Sequence, residues 1–364
     1  MTAKLYFAYG SNLNLLDWSQ WCQKHRASPS VLQYRSVGYL PDHDVCFSYR
    51  SRTRQGGVLD IVPRTGQLVP GVIFEVHGDG WEQLDRKEGA PHCYERVPAI
   101  ALDEMGNEYT VETYRVRPDR RERFVAPHPD YVSVVREGLQ NFDLSTDLLE
   151  AAALDKPTPW LVDAFFVYGT LMRGESRFPV LTKFGLSCSL LAQTFGRLVD
   201  LGNYPGFVEI VTSRSLVQGE FVRVQDLGAA VEAIDAIEGF CGFGRSGSLY
   251  RRALCQVDVG EGRIRSAWTY CLAEAGNGAT PIPSSDWREH RGIRTRVLRE
   301  LAEIHAQGNE RQLARGIATR IPFSFDPDTE AVVDSLLPLH NSLAQWLVSE
   351  RKLAQQSGTW SAIF

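Results

Sequence analysis

The sequence predicts an α+β protein in which one domain occurs twice and a helical extension follows. The first observation is a repeated stretch, since Phe7–Asn12 (FAYGSN) is answered by Phe166–Leu171 (FVYGTL). The second is a shared downstream series, since Leu84–Gly89 (LDRKEG) is answered by Ile234–Gly239 (IDAIEG). Two chance Tyr-Gly turns would not be followed by the same series, so the sequence indicates a duplication.

Length and composition agree with two domains and an appendage. The chain has 364 residues, and one domain takes roughly 150 residues. Hydrophobic residues make up 43% and charged residues 23%, which is the balance of a globular protein with full cores. The net charge of −5 argues against nucleic-acid binding, because sequence-independent binding needs clustered Lys and Arg.

The sequence also predicts a cytoplasmic protein without a membrane segment. No apolar run approaches the ~20 residues that a membrane span needs. The first strand begins almost at the N-terminus, which leaves no room for a signal peptide. The seven cysteines are scattered without a C-x-x-C pair, a pattern typical of reduced thiols. These features do not determine the oligomeric state.

Strands and helices alternate in the first copy. A helix or helical turn is expected over Asn12–Arg26, and Asp79–Glu88 is expected to form a helix that Gly89 ends. Pro63–Gly66 is expected to form a turn between two strands. The other predicted elements are the strands Val58–Val62, Val69–Val76, Tyr94–Leu102 and Glu108–Val116 and the helix His128–Gly138.

The second copy repeats this order. It opens on a strand at Asp163–Tyr168, and its helix at Leu227–Glu238 is again ended by a glycine, Gly239. The other predicted strands are Gly196–Leu201, Gly206–Val211, Val217–Val224, Tyr250–Val259 and Arg265–Leu272.

A boundary is expected between the copies, where the prolines of Lys156–Pro159 break regular structure. We therefore divide the chain into domain 1 (residues 1–150), a linker (151–162), domain 2 (163–290) and a helical extension (291–364). Apolar spacing predicts helices over Trp287–Gln307 and Thr329–Gln356. These helices are expected either to cap or clamp the domains, or to bind a partner.

Each copy combines a tight turn with a helical carboxylate. A Gly after a buried strand lets the backbone turn sharply or lets a ligand approach it closely. Asp85 and Glu88, like Asp235 and Glu238, lie three positions apart and share a helix face. A single pair of this kind is most often a solvated face, but its repetition behind the same strand favours a function.

A turn with one carboxylate suits the chemistry of amides. The carboxylate can take a proton from an attacking amine and return it to a leaving amine, while backbone amides at the turn hold the developing oxyanion or the substrate's own carboxylate. Burial should raise the pKa of this carboxyl above about 4.3. Arg86 and Lys87 would oppose that rise unless they point to solvent, which their different helix azimuth permits.

Other chemistries fit poorly. The eight His form no H-E-x-x-H or other close pair, so no metal site is expected. No G-x-S-x-G elbow occurs, and no Cys is convincingly paired with a His. Gly242–Gly247 matches G-x-G-x-x-G, but it follows a predicted helix, the reverse of the dinucleotide-binding context. We expect no cofactor and interpret this stretch as a flexible insertion beside Glu238.

The first copy resembles a γ-glutamylcyclotransferase domain over residues 1–140. The resemblance is carried by Tyr9–Asn12, Gly56–Ile61, Gly71–Phe74 and Leu84–Gly89, followed by Tyr94.

The second copy resembles the branch of γ-glutamylamine cyclotransferases and related plant defence-induced proteins over residues 163–290. Its matching stretches are Tyr168–Gly174, Leu198–Pro205 and Ile234–Gly239. The C-terminal tail lies outside both resemblances.

The resemblance implies a small mixed barrel with flanking helices in each domain. It implies a reaction in which the α-amine of a γ-glutamyl group attacks its own side-chain amide carbon, which closes 5-oxoproline and releases an amine or peptide. It assigns the general acid/base role to Glu88 and Glu238. The implied substrate-holding residues are Tyr9, Gly10, Ser11 and Asn12 in the first copy and Tyr168, Gly169, Thr170 and Leu171 in the second. Tyr94 and Tyr250 are expected either to line the pockets or to fill the core.

The two copies differ in ways that affect this expectation. Thr170–Leu171 stands where the first copy has Ser11–Asn12, so the substrates are expected to differ. The insertion Cys241–Ser248 lengthens the chain between Glu238 and the following strand. The sequence leaves open a cyclotransferase, a pair of non-catalytic pockets that bind a ligand or scaffold a pathway partner, and an amide hydrolase. The Glu retained in both copies favours an enzyme.

Overall fold

The computed structural model describes residues 4–104, 106–208, 215–274 and 279–292. Of the expected C-terminal extension, residues 291–292 belong to a helical stretch at 287–292, and the rest lies outside the described residues. Within the described part, no helix is both long and apolar enough to cross a bilayer.

The chain divides into two compact units. The first comprises Met1–Ala164, Gln225–Ser248 and Ala253–Cys255, and the second comprises Phe165–Val224, Leu249–Arg252 and Gln256–Phe364.

Within the described residues, the N-terminal half of the chain holds five strands and four α-helices. They are β1 (Lys4–Ala8), α1 (Leu15–His25), β2 (Leu32–Ser51), β3 (Gly56–Val76), α2 (Gly80–Glu88), β4 (Tyr94–Leu102), β5 (Glu108–Val116), α3 (Pro129–Gln140) and α4 (Asp147–Ala153).

The C-terminal half repeats this plan with shorter strands. Its elements are β6 (Ala164–Val167), α5 (Phe178–Thr182), β7 (Leu186–Phe195), β8 (Arg197–Asp200), β9 (Pro205–Val208), β10 (Leu216–Val224), α6 (Leu227–Glu238), β11 (Tyr250–Asp258), β12 (Ile264–Leu272) and β13 (Thr280–Pro281). The helix α6 falls in the first unit, where Val231 packs on Gly66 of β3.

Each half closes a mixed five-stranded barrel, which confirms the predicted fold class. The first barrel has the order β1-β3-β2-β4-β5, and the second has β10-β6-β12-β11-β7. In each barrel the opening strand runs parallel to the last strand, through Tyr6 and Glu112 in the first and through Phe165 and Trp268 in the second. A separate sheet, β13-β8-β9, completes the second half.

The expected turn at Pro63–Gly66 is wrong, because β3 runs through it as one continuous strand. Pro63 is opposite His43 of β2, and the pairing register shifts between Pro41 and His43. Such an irregularity accommodates a proline without ending the strand. The pairing with β2 skips from Pro63 to Leu68, and Gly66 has φ of 82°, so the segment is an irregularity within β3.

The duplication is confirmed by two glycines at matching barrel positions. A Cβ on Gly71 would lie 2.2 Å from the Ala8 carbonyl oxygen, and a Cβ on Gly219 would lie 2.4 Å from the Val167 carbonyl oxygen. Both distances are far below van der Waals contact, so any larger residue would push the opening strand away. The cores of both barrels require a glycine where this strand crosses its neighbour.

Candidate active site

The first site begins at the end of β1. Tyr9 is buried, and its hydroxyl donates to the Tyr114 carbonyl at 2.6 Å. The chain then forms a short 3-10 turn, in which the Leu13 N–H donates to the Gly10 carbonyl at 3.0 Å. The first N–H groups of such a turn have no acceptor within it. Gly10 and Ser11, both partly exposed, lie in this position.

Asn12 joins this turn to the predicted catalytic carboxyl. Its Nδ2 donates to Glu88 Oε1 at 2.7 Å and to the Tyr6 hydroxyl at 2.8 Å. The Asn12 side chain is buried, and its Oδ1 has no hydrogen-bond partner among the described residues. The structure therefore brings together the turn and the carboxyl that are far apart in the sequence.

Glu88 is the last residue of α2, and Gly89 ends the helix as the sequence indicates. Gly89 adopts a left-handed conformation with φ of 64°, and its N–H donates to the Asp85 carbonyl. Burial raises the pKa of the Glu88 carboxyl; the charge of Lys87 and the Asn12 hydrogen bond lower it without cancelling that rise. A raised pKa makes this carboxyl a better proton acceptor when ionised than an ordinary carboxylate.

Lys87 does not point to solvent, although its helix azimuth permits that. Its side chain is only 6% exposed, and its Nζ lies 3.0 Å from Asp17 Oδ2 and 5.3 Å from the Trp18 ring centre. Arg86 is exposed. Lys87 stays inside because a carboxylate on α1 and an aromatic face receive it, which helix azimuth alone does not reveal.

Arg54 completes an ion cluster with Asp17 and Lys87. One Arg54 nitrogen, Nη2, donates to both Asp17 carboxylate oxygens, at 2.9 and 2.7 Å. Burial would raise the pKa of Asp17, but the hydrogen bonds and charges of these two cations outweigh it and lower the pKa. The cluster thus keeps Asp17 of α1 ionised. This carboxylate lies beside the Glu88 carboxyl, whose pKa is raised.

Tyrosines surround the first site. Tyr94 donates to the Leu59 carbonyl at 2.6 Å, and Tyr114 donates to Asp85 Oδ1 at 2.6 Å. The Tyr131 hydroxyl, from α3, lies 3.8 Å from where a Cβ on Gly10 would be. Burial raises the pKa of Tyr94, Tyr114 and Tyr131, so their hydroxyls stay protonated.

Three residues of this site were not singled out as functional in the sequence: Tyr6, Arg54 and Tyr131. Tyr6 bonds Asn12, and the Arg54 guanidinium lies 5.4 Å from the Tyr131 ring centre. Tyr131 sits on the buried side of α3 among Val132 and Val135. Its hydroxyl on an otherwise apolar helix face was the available signal, since a buried hydroxyl needs a hydrogen-bond partner.

The second turn repeats the backbone of the first with other side chains. Tyr168 donates to the Tyr270 carbonyl at 2.6 Å, and the Met172 N–H donates to the Gly169 carbonyl at 2.9 Å. Thr170 and Leu171 are buried. At the position where the Asn12 side chain holds a carboxyl, the Leu171 side chain can neither donate nor accept a hydrogen bond.

A different carboxylate holds the loop that follows the second turn. Glu220, directly after Gly219, accepts from the Arg173 N–H at 3.0 Å, from the Ser189 hydroxyl at 3.0 Å and from Arg288 Nη2 at 2.7 Å. Burial would raise the pKa of Glu220, but these donors outweigh it and lower the pKa. The equivalent position after Gly71 is Val72, so this ionic support is particular to the second barrel.

Glu238 ends α6 as Glu88 ends α2. Gly239 has a left-handed φ of 63°, and its N–H donates to the Asp235 carbonyl. The insertion that follows is irregular, and its Gly244 N–H donates to Glu108 Oε2 at 2.9 Å. Glu238 lies in the first unit and the Tyr168–Leu171 turn in the second, so their pairing stays a prediction. Tyr250 donates to the Pro205 carbonyl at 2.9 Å.

Among the residues that the structure describes, no group of three or more His, Cys, Asp or Glu side chains is placed to hold a metal ion.

Comparison with known proteins gives the same family for both halves. The family model described as "Gamma-glutamyl cyclotransferase, AIG2-like" matches residues 6–133 and 165–289. The chain is 31% identical over 139 residues to a gamma-glutamylcyclotransferase of Bos taurus, covering 37% of this chain and 69% of that protein. It is 26% identical over 161 residues to a gamma-glutamylcyclotransferase of Homo sapiens, covering 43% and 80%.

A solved structure of a gamma-glutamyl cyclotransferase is 25% identical to this chain. The match covers 44% of this chain and 91% of the other, with a TM-score of 0.36. The family model matches two segments that together make up more than half of the chain. The protein therefore belongs to the gamma-glutamyl cyclotransferase, AIG2-like family, carries the family's domain in tandem, and is an enzyme of the cyclotransferase type.

Proposed function

We propose that the first barrel cleaves a γ-glutamyl amide into 5-oxoproline and a free amine, with Glu88 as general base and general acid. The amide is that of an amine, a peptide or a biosynthetic intermediate. The observation that carries this proposal is the hydrogen bond of 2.7 Å from Asn12 to Glu88, which sets a carboxyl of raised pKa beside the Tyr9–Asn12 turn. The names of the bovine and human relatives support the γ-glutamyl group.

The reaction needs one proton carrier and one oxyanion site. The α-amine nitrogen attacks the γ-carbonyl carbon, and Glu88 takes the proton that this nitrogen loses. Backbone N–H groups of Gly10 and Ser11 stabilise the oxyanion on the former carbonyl. The bond to the leaving nitrogen then breaks as Glu88 returns the proton to it. Because both reacting groups belong to one molecule, orientation in the pocket supplies much of the rate.

The second copy is proposed as a separate pocket with its own ligand. Its predicted members are the Tyr168–Leu171 turn, Tyr250 and Glu238. The exchange of Asn12 for Leu171 supports a different role, because this position of the second turn has no side-chain amide to hold a carboxyl. In this proposal the domains span residues 1–150 and 163–290 with a linker at 151–162, and the location is cytoplasmic.

The test is incubation of the full chain with γ-glutamyl amines, γ-glutamyl amino acids and γ-glutamyl peptides, with 5-oxoproline as the readout. We expect Glu88→Gln to reduce the turnover rate about 10²- to 10⁴-fold, because it removes the proton carrier. Asp85→Asn is the matched control, since Asp85 shares the helix but bonds Tyr114 instead of the turn. Glu238→Gln reports in the same assay whether the second copy contributes.

Other products would identify other functions. Free glutamate in place of 5-oxoproline would indicate an amide hydrolase. Binding of γ-glutamyl amides without any product would indicate a binding or scaffold protein. Full activity of a folded Glu88→Gln variant would refute the role of Glu88.

A further inference from the structure

The helical stretch 287–292 is the second copy's counterpart of the start of α3. Tyr131 lies 15 residues after Val116, the end of β5 (131 − 116), and Trp287 lies 15 residues after Leu272, the end of β12 (287 − 272). Each aromatic residue follows an aspartate, Asp130 or Asp286. By this equivalence Trp287 takes the place of Tyr131, whose hydroxyl lies 3.8 Å from a Cβ placed on Gly10 of the first turn.

The exchange changes what the aromatic residue offers to its surroundings. In the first barrel the Tyr131 hydroxyl accepts from the Leu59 N–H at 3.4 Å. The second barrel has Pro205 at the corresponding place, because Tyr250 donates to the Pro205 carbonyl as Tyr94 donates to the Leu59 carbonyl. Proline has no N–H. The second barrel therefore lacks both the backbone donor and the hydroxyl that receives it.

Trp287 brings a donor in exchange. Its side chain is 1% exposed, and its indole Nε1 has no hydrogen-bond partner within the described residues. An indole N–H only donates. A buried donor without a partner is unfavourable, so its retention calls for an acceptor that occupies the site.

Continuous contacts within the second unit lead from Trp287 to the second turn. The Trp287 and His290 rings lie 5.8 Å apart, and His290 Nε2 is 2.9 Å from Asp200 Oδ2. Asp200 pairs with Pro205 across the β8–β9 hairpin. A Cβ on Gly169 would lie 2.7 Å from Pro205 Cγ. Trp287 is thus linked to the second turn through His290, Asp200 and Pro205.

We propose that Trp287 is a ligand-binding residue of a pocket at the Tyr168–Leu171 turn and donates its indole N–H to a carboxylate or amide oxygen of the ligand. This inference rests on the proposed second pocket and names a residue that binds its ligand, and it does not depend on Glu88 or the first barrel. It also distinguishes the two pockets by chemistry, since the first presents the hydroxyl of Tyr131 and the second presents an obligate donor.

The test uses the full chain labelled with ¹⁵N at the indole nitrogens of its eight Trp, titrated with 5-oxoproline and then with L-glutamine. The Trp287 signal is assigned by its absence from the Trp287→Phe variant, whose other indole signals show whether it folds. We expect the Trp287 proton to move downfield and to saturate. Trp18 is the internal control, because its Nε1 already donates to the Pro29 carbonyl at 3.1 Å and its signal should not move.

A second measurement separates this proposal from the activity of the first barrel. The titration is repeated with Glu88→Gln, in which the Trp287 shift should persist, and binding by Trp287→Phe should be weaker by about 10-fold, the effect of one hydrogen bond. A shift without any 5-oxoproline production would refute the proposed function and leave this inference standing. The inference would be overturned if no titrant moves the Trp287 signal, or if the Trp287 indole N–H donates only to a trapped water.

Discussion

Tyr9 in the first barrel and Tyr168 in the second both donate to a carbonyl of the last strand at 2.6 Å. The two residues after the glycine differ, since Ser11 and Asn12 follow Gly10 whereas Thr170 and Leu171 follow Gly169. The carboxylate beside the turn differs as well. In the first barrel that carboxylate is Glu88, whose pKa is raised. In the second it is Glu220, whose pKa is lowered.

This comparison separates closure of the barrel from function. The hydrogen bonds that close the barrel are kept in both copies, including those from Thr113 to the Phe7 carbonyl at 2.9 Å and from Thr269 to the Phe166 carbonyl at 3.1 Å. The polar groups at the turn are free to change because no strand pairing depends on them. One copy has a carboxyl suited to proton transfer, and the other has a permanent anion that fastens a loop.

The largest expected effect tests the shared part of this comparison. Gly71→Ala and Gly219→Ala should each lower the free energy of unfolding by about 3 kcal/mol, because the added methyl overlaps a carbonyl oxygen of the opening strand. Denaturant unfolding followed by circular dichroism measures it. Gly228→Ala is the control, since its Cβ would meet the Thr65 carbonyl oxygen at an ordinary 3.6 Å. Equal stability of all three variants would contradict the required close approach.

The next effect tests the difference at the turn. Asn12→Leu gives the first barrel the residue of the second and removes the hydrogen bond to Glu88. We expect kcat to fall about 10- to 100-fold, the range for loss of a hydrogen bond to a charged group. Leu171→Asn is the reciprocal variant. If Asn12→Leu retains full activity in a 5-oxoproline assay while folding normally, Asn12 does not position Glu88.

A smaller effect asks whether Tyr94 and Tyr250 belong to the pockets or to the core. Each hydroxyl donates to a backbone carbonyl, so Tyr94→Phe and Tyr250→Phe should each lower the free energy of unfolding by about 1 kcal/mol. An increase in KM for Tyr94→Phe beyond this loss of stability would indicate contact with substrate. A change in stability alone, with kcat and KM intact, would assign Tyr94 to the core.

The smallest effect is a displacement of the pH profile. Glu88 must be ionised to accept a proton, so activity falls as the pH drops through its pKa. The charge of Lys87 lowers that pKa; Lys87→Met should therefore raise it and move the acidic limb of kcat/KM to higher pH. Arg86→Met, with its exposed side chain, should leave the limb in place. A shift to lower pH would refute this electrostatic role of Lys87.

Local patterns were sufficient for much of the fold. The strands β4 and β5 and the helix α6 have the predicted bounds, because alternation, a short turn and a terminal glycine act within a few residues. The prediction failed at Pro63–Gly66, where β3 continues through the segment while its pairing register with β2 shifts. It also omitted β7, in which Leu191 and Phe195 are exposed, so the strand has no clear apolar face to reveal it.

The candidate site was predicted in part for a similar reason. Glu88 and the Tyr9–Asn12 turn were found because the duplication repeats them. Tyr6, Arg54 and Tyr131 become neighbours of this site only when distant segments fold together, so their spacing carries no signal. The buried position of Lys87 likewise depends on Asp17, which lies on another helix.

The Asp17 cluster has a consequence for how fast a ligand binds. Asp17 belongs to α1, just after the turn, and Lys87 directly precedes Glu88, so their ion pair fastens the two halves of the site together. A site assembled in this way requires no segment to move before a ligand enters. We therefore expect association in a single kinetic phase whose rate rises linearly with ligand concentration, without the plateau that a preceding conformational step would impose.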